Sequence, residues 1–231
     1  ARCIDLARRY GFSNLTVDLI YGTPTMDDAQ WVANIEQALS FEIPHLSCYC
    51  LTVEPRTALD HFVKTGPARP VDDAPAERQF RVLMDRLEAA GYEHYEISNF
   101  ARPGWGARHN TAYWMGHSYL GIGPGAHSYH GQRRQWNVAN NVQYLKAMQE
   151  GKIPCEYEVL TADQQYNEYI LTRLRTVWGV ELEDIPEVYR SHFLQQMQDY
   201  LDQGLVQHRA GRYQLTRAGK LLVDRIAMEL F

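Results

Sequence analysis

The sequence lacks any long apolar run. Stretches such as Leu221 to Val223 are only a few residues long, well short of the roughly 20 that a helix needs to cross a bilayer. That leaves peripheral association as the only contact with a membrane to expect. Cysteine is scarce as well: Cys3, Cys48, Cys50 and Cys155 are too few and too scattered for a disulfide framework. No CxxC or CxxxCxxC spacing occurs among them. Basic residues are not in excess, with Lys and Arg at 23 against 28 Asp and Glu and a formal charge of −5. No global basic field therefore marks a nucleic-acid binder, and no nucleic-acid partner is expected. The chain opens without a charged segment followed by an apolar stretch, so no secretory signal is visible and a cytoplasmic location is expected. Disorder is excluded by the opposite kind of observation, since 45% of the 231 residues are hydrophobic and only 22% are charged.

What is present is an alternation of strand and helix patterns. Leu15 to Ile20 reads as a strand, Asp27 to Leu39 as a helix with Trp31, Val32, Ile35, Ala38 and Leu39 at helical spacing, and Leu46 to Val53 as a second strand. A loop rich in Gly and Pro, a helix over Asp72 to Ala90 stopped by Gly91, and a third strand at Tyr95 to Ser98 follow. Strands separated by helices of this length imply a parallel α/β sheet or barrel, in which ligands meet the C-terminal strand ends. From Phe100 to about Gly131 no periodicity is visible. A short strand at Gln135 to Val138 and helices over Asn140 to Glu150 and Ala162 to Val177 come next, the last with Thr161 as its cap. The final forty residues spell helix, hairpin around Arg209-Ala210-Gly211, helix, which is the outline of a winged-helix module. We expect an α/β barrel part over 1–150 and a small, helical, winged-helix-like domain over 151–231.

Three places carry candidate chemistry. Asp18 sits in an apolar strand, where a buried carboxylate would need a partner or a ligand. Cys48, Cys50 and Thr52 share a strand face, and two thiols alone supply half of a tetrahedral metal site, so inert buried thiols are the better reading. Arg108-His109-Asn110-Thr111-Ala112-Tyr113-Trp114 is the densest cluster. A neutral imidazole can ligate iron, Arg can clamp a carboxylate, and Tyr and Trp can cover a flat apolar ring, which are the groups a porphyrin requires. Gly121-Ile122-Gly123-Pro124-Gly125-Ala126-His127-Ser128 matches no nucleotide fingerprint and reads as a close-packed turn that offers backbone to a ligand. His117, His127 and His130 match no zinc pattern.

Taken together, DLIYGTP (18–24), YEISNFARPG (95–104), the HNxxYW cluster (109–114), YLGIGxGAHS (119–128) and Trp136-Asn137 resemble the HemW-type heme chaperones of the radical S-adenosylmethionine (SAM) superfamily. The resemblance runs over essentially the whole chain. DLIYG-x-P alone is shared with the oxygen-independent coproporphyrinogen III oxidases, which lack HNxxYW, so the full set favours heme binding and transfer to an accepting protein, with the oxidase as the alternative. It implies an incomplete (β/α) partial barrel holding a [4Fe-4S] cluster and SAM, then a winged-helix-like domain. It further implies that Asp18, Thr52, Ala126 and His127 contact SAM. His109, Asn110, Tyr113 and Trp114 would bind heme, with His109 as the iron ligand. Asp18 and Thr52 are both expected on the interior face. The family's cluster motif CxxxCxxC is absent, so the chain is expected to be a C-terminal piece of a longer protein, lacking the first barrel strands and inactive by itself as a radical enzyme.

Overall fold

The computed structural model describes residues 1–67 and 70–231, so residues 68 and 69 of the expected Gly- and Pro-rich loop lie outside the described residues. The chain divides into two compact units, 1–107 and 108–231. The expected boundary at 150 falls inside the second unit, between a helix and a strand that pairs back across it.

The first unit runs α1 (Arg2–Arg9), β1 (Thr16–Tyr21), α2 (Asp28–Ser40), β2 (His45–Cys50), α3 (Ala58–Thr65), α4 (Asp73–Ala89), β3 (Glu93–Glu96) and β4 (Asn99–Ala101). α2 begins at a capping box in which Asp27 accepts from the Gln30 amide and Gln30 returns the contact. Asp72 caps α4 through the Ala74 amide. The sheet order is β1-β2-β4-β3, and it does not close. β1 and β2 are parallel, as the α2 crossover requires. The single strand expected over Tyr95 to Ser98 is instead a tight hairpin of β3 and β4, and β4 runs antiparallel to β2. The physical reason is local: the Glu96 carboxylate accepts from the Ser98 amide at 2.9 Å and from Asn99 Nδ2 at 2.6 Å, which closes the turn.

One face of this sheet packs on the helices. Tyr21 stacks on Phe80 with centroids 5.9 Å apart, and Leu46, Phe100, Trp31, Ile35 and Leu83 are fully buried around it. Gln79, on α4, holds the layer to the chain after β1: its Oε1 accepts from the Gly22 amide at 2.8 Å and its carbonyl from Trp31 Nε1 at 2.9 Å.

The second unit contains α5 (Arg108–Trp114), β5 (His127–His130), β6 (Arg133–Asn137), α6 (Asn141–Gln149), β7 (Cys155–Val159), α7 (Ala162–Leu174), β8 (Val180–Glu181), α8 (Glu187–Asp202), β9 (Val206–Arg209), β10 (Arg212–Leu215) and α9 (Val223–Glu229). β5, β6 and β7 form an antiparallel sheet. α7 starts at the expected Thr161 through a complete capping box with Gln164. β8, β10 and β9 form the small sheet of the winged-helix outline. Its core is a buried cluster of Ile170, Leu174, Ile185, Phe193, Met197 and Ile226. The Tyr166 hydroxyl donates to the Leu230 carbonyl at 2.8 Å and ties α7 to the end of α9.

Candidate functional site

α5 carries the HNxxYW residues on a short helix with no buried position, which is why the sequence around it shows no apolar period. Positions four apart share a helix face. His109 and Tyr113 accordingly meet, with ring centroids 4.7 Å apart and planes nearly perpendicular, while Asn110 and Trp114 are half-buried on the neighbouring face. His109 itself is exposed. The Tyr113 ring meets Tyr119 edge-on at 4.6 Å, and Tyr119 is joined to Tyr129 by a reciprocal pair of backbone hydrogen bonds of 2.9 and 3.0 Å. His109, Tyr113, Tyr119 and Tyr129 thus form a continuous chain of rings.

Tyr113 and Trp114 line a cavity of about 640 Å³, within the usual range for organic ligands and cofactors. Its opposite wall is α7, which presents Tyr166, Tyr169 and Arg173 at positions i, i+3 and i+7. Tyr119 and Tyr129 complete the aromatic lining. Burial is the main cause that lifts the Tyr119 and Tyr169 hydroxyls above the usual phenol range, and it pushes Tyr166 up to about 12. These hydroxyls stay protonated at neutral pH and act as neutral hydrogen-bond donors. The α7 half of the cavity lies more than fifty residues beyond HNxxYW. The sequence signal for it was the 166/169/173 spacing, which reads as an ordinary helical stripe.

The glycine-rich segment is a close-packed turn. A Cβ at Gly121 would lie 2.1 Å from the His127 carbonyl oxygen, so the glycine permits approach of the chain to itself. Buried Asn137 clamps the segment, donating from Nδ2 to the Gly123 carbonyl at 2.9 Å. Ala126 precedes β5 and accepts from the Asn137 amide at 2.9 Å, and His127 opens the strand with its side chain exposed.

In the first unit the strand register corrects the expected faces. Asp18 pairs with Ser47, and Ser47 with Asn99, so these three share a face opposite Cys48 and Cys50. Asp18 is exposed, not buried at a strand end, because β1 has a neighbour on one side only. Thr52 lies beyond the end of β2 and is also exposed, so it does not share a strand face with Asp18. In the same row Asn99 Oδ1 is buried and has no hydrogen-bond partner among the described residues. Two residues along, on the same face, His45 is buried between Thr16 Oγ1 (2.8 Å) and the Tyr95 hydroxyl (2.7 Å), and burial lowers its pKa against a smaller opposing effect of Asp18. Cys48 is buried, with its thiol pushed up to about 12 by burial, whereas Cys50 is exposed, contrary to the expectation of two buried thiols. Among the described residues no group of three or more His, Cys, Asp or Glu side chains is placed to hold a metal ion.

Comparison with known proteins is consistent across sequence and fold. The HemN C-terminal domain family matches residues 160–222. The heme chaperone HemW of Mycobacterium tuberculosis is 35% identical over 221 residues, covering 95% of this chain and 56% of the relative. HemW of Bacillus subtilis is 33% identical, covering 95% and 59%, and HemW of Escherichia coli is 30% identical, covering 100% and 61%. The chain thus spans somewhat over half the length of these curated relatives. In three dimensions it is similar to the Escherichia coli coproporphyrinogen III oxidase HemN, a radical SAM enzyme, with a TM-score of 0.79 at 21% identity over 99% of this chain and 57% of that one. That likeness establishes the fold, a mixed α/β arrangement shared with the matched part of that enzyme, and the sheet of the first unit is open.

Proposed function

We infer that the chain belongs to the family of HemW-type, coproporphyrinogen-oxidase-like proteins of the radical SAM superfamily, and from that premise we propose that it binds heme and passes it to an accepting protein. The observation that carries this reading is the cavity beneath HNxxYW. Tyr113 and Trp114, two of the four residues expected to bind heme, are part of the wall of a tyrosine-lined space of about 640 Å³, while the His109 imidazole stands exposed against the Tyr113 ring. Aromatic faces suit a flat macrocycle, and an exposed neutral imidazole is a competent iron ligand. Exposure also suits a carrier, which must release its cargo. Titration of the chain with ferric heme is expected to give a saturable Soret band, and His109→Ala to shift that band and weaken binding roughly tenfold or more, the scale of losing one ligand interaction of 1.4 kcal/mol or above. Unchanged binding in the variant would remove His109 from the site.

SAM, when bound, supplies the radical chemistry of the superfamily. The residues fit part of it: Asp18 and the unsatisfied Asn99 Oδ1, in one row across the sheet, present acceptors to a cationic, donor-bearing group such as an amino group. Thr52, in the same unit, is the other contact expected there. The [4Fe-4S] cluster does not fit the residues here, since the four cysteines are Cys3, Cys48, Cys50 and Cys155 and no metal-holding group is found among the described residues. A cytoplasmic setting agrees with four free thiols. No helix is long and apolar enough to cross a membrane among the described residues.

The alternative reading, an oxygen-independent coproporphyrinogen III oxidase, is favoured by the fold likeness to HemN. An anaerobic decarboxylation assay of the full-length protein, with its cluster reconstituted, separates the two, because only the oxidase forms protoporphyrinogen.

A further inference from the structure

We propose that Arg173 is the anchor for a propionate carboxylate of the heme, seating the acidic edge of the macrocycle against α7. The inference rests on the heme reading of the cavity and adds to it the residue that would fix the orientation of the ring.

Charge inside the cavity is balanced at every ionised side chain but one. Three ionised side chains besides Arg173 line it: Arg134, Glu168 and Asp184. Each has a partner. Arg134 pairs with Glu168 and, at 3.4 Å, with Glu158, and Asp184 accepts from the Tyr169 hydroxyl at 3.1 Å. Arg173 differs. Its guanidinium is half-buried, with Nη1 2.7 Å from the Met115 sulfur and its centre 5.5 Å from the Tyr169 ring centroid, and it has no carboxylate partner among the described residues. Arg175, two residues on, is paired with Asp224 at 2.9 Å. A cation partly withdrawn from water with only a thioether and a ring beside it is poorly compensated. An incoming carboxylate would compensate it, and the planar fork of Arg suits two parallel hydrogen bonds to such a group. Heme combines that acid with a flat apolar body, and the cavity also presents the flat aromatic rings of Tyr113, Trp114, Tyr119, Tyr129 and Tyr166.

The test is a cycle that varies the protein and the ligand together. Ferric heme and its dimethyl ester, which lacks the propionate charges, are titrated into the wild-type chain and into Arg173→Gln and Arg173→Lys. We expect Arg173→Gln to weaken binding of the free acid roughly tenfold or more, Arg173→Lys to recover part of the loss, and the ester to bind the wild type and Arg173→Gln alike. Esterification that costs both proteins the same, or free acid that binds Arg173→Gln as tightly as wild type, overturns the proposal and leaves the heme reading standing. Absence of saturable binding to the wild type overturns both. Should Arg173→Gln fail to fold, the wild type alone decides, because equal affinity for acid and ester rules the anchor out.

Discussion

His45 couples protonation to the stability of the first unit. Its imidazole is buried between Thr16 and Tyr95, and burial lowers its pKa from 6.5. A histidine whose folded pKa lies below its unfolded value binds fewer protons when folded, so stability is full above the unfolded pKa and falls as the pH drops from about 6.5 towards the folded value. Thermal midpoints measured from about pH 7.5 downward should therefore decline more steeply for the wild type than for His45→Gln, which has no group to titrate there. Equal slopes would show that the imidazole does not carry the effect. Gly121 makes a second residue-scale case. The sequence showed a glycine-rich segment, but whether its glycines admit a ligand or the chain itself depends on a neighbour six residues away that no spacing rule names. Since an added Cβ would meet the His127 carbonyl at 2.1 Å, Gly121→Ala must displace backbone, and a loss of about 1–3 kcal/mol in denaturant unfolding is expected. A smaller loss would mean that the turn relaxes.

Among the elements, those with caps and apolar stripes were legible. α2 and α4 lie within one residue of their expected spans, and α7 starts where expected but ends at Leu174 rather than Val177; Asp27, Asp72 and Thr161 each satisfy first-turn amides and so fix the starts. α3 and α5 were not, since both are short and bury no residue, leaving no stripe to read. β7 escaped for a different reason. Its alternation turns Tyr157 and Val159 outward and partly buries Glu158, where Arg134 meets it, the reverse of the hydrophobic rule. The β9–β10 hairpin was legible from Ala210-Gly211, and its two-residue turn places both residues at positive φ, +49° and +79°. Alanine is strained there and asparagine is not. Ala210→Asn is thus expected to stabilise the chain by about 0.5–1 kcal/mol, read as a rise in thermal midpoint. A fall would show that the turn is held by contacts other than its own backbone preference.

At the scale of the whole molecule, the candidate site was half legible. HNxxYW is contiguous in the sequence, whereas the facing wall at Tyr166, Tyr169 and Arg173 belongs to a helix whose other side packs the winged-helix core, so its pattern resembles that of any amphipathic helix. The winged-helix outline raises one further functional question, which charge decides. In DNA-reading modules of this kind a helix enters the major groove and its cations meet phosphates. α8, the helix before the hairpin, carries Glu187, Asp199 and Asp202 against a single Arg190, and that guanidinium is spent on the Ile185 and Glu183 carbonyls at 2.8 and 3.1 Å. In the hairpin, Arg212 is paired with Glu181 at 2.8 Å. With a net charge of −5 around them, these groups release too few counterions to hold duplex DNA. No retention on a duplex is expected even at about 50 mM salt, where non-specific binding by a basic module would be strongest. Salt-dependent retention, with affinity falling in proportion to the logarithm of salt, would instead require a phosphate-binding surface outside α8 and the hairpin.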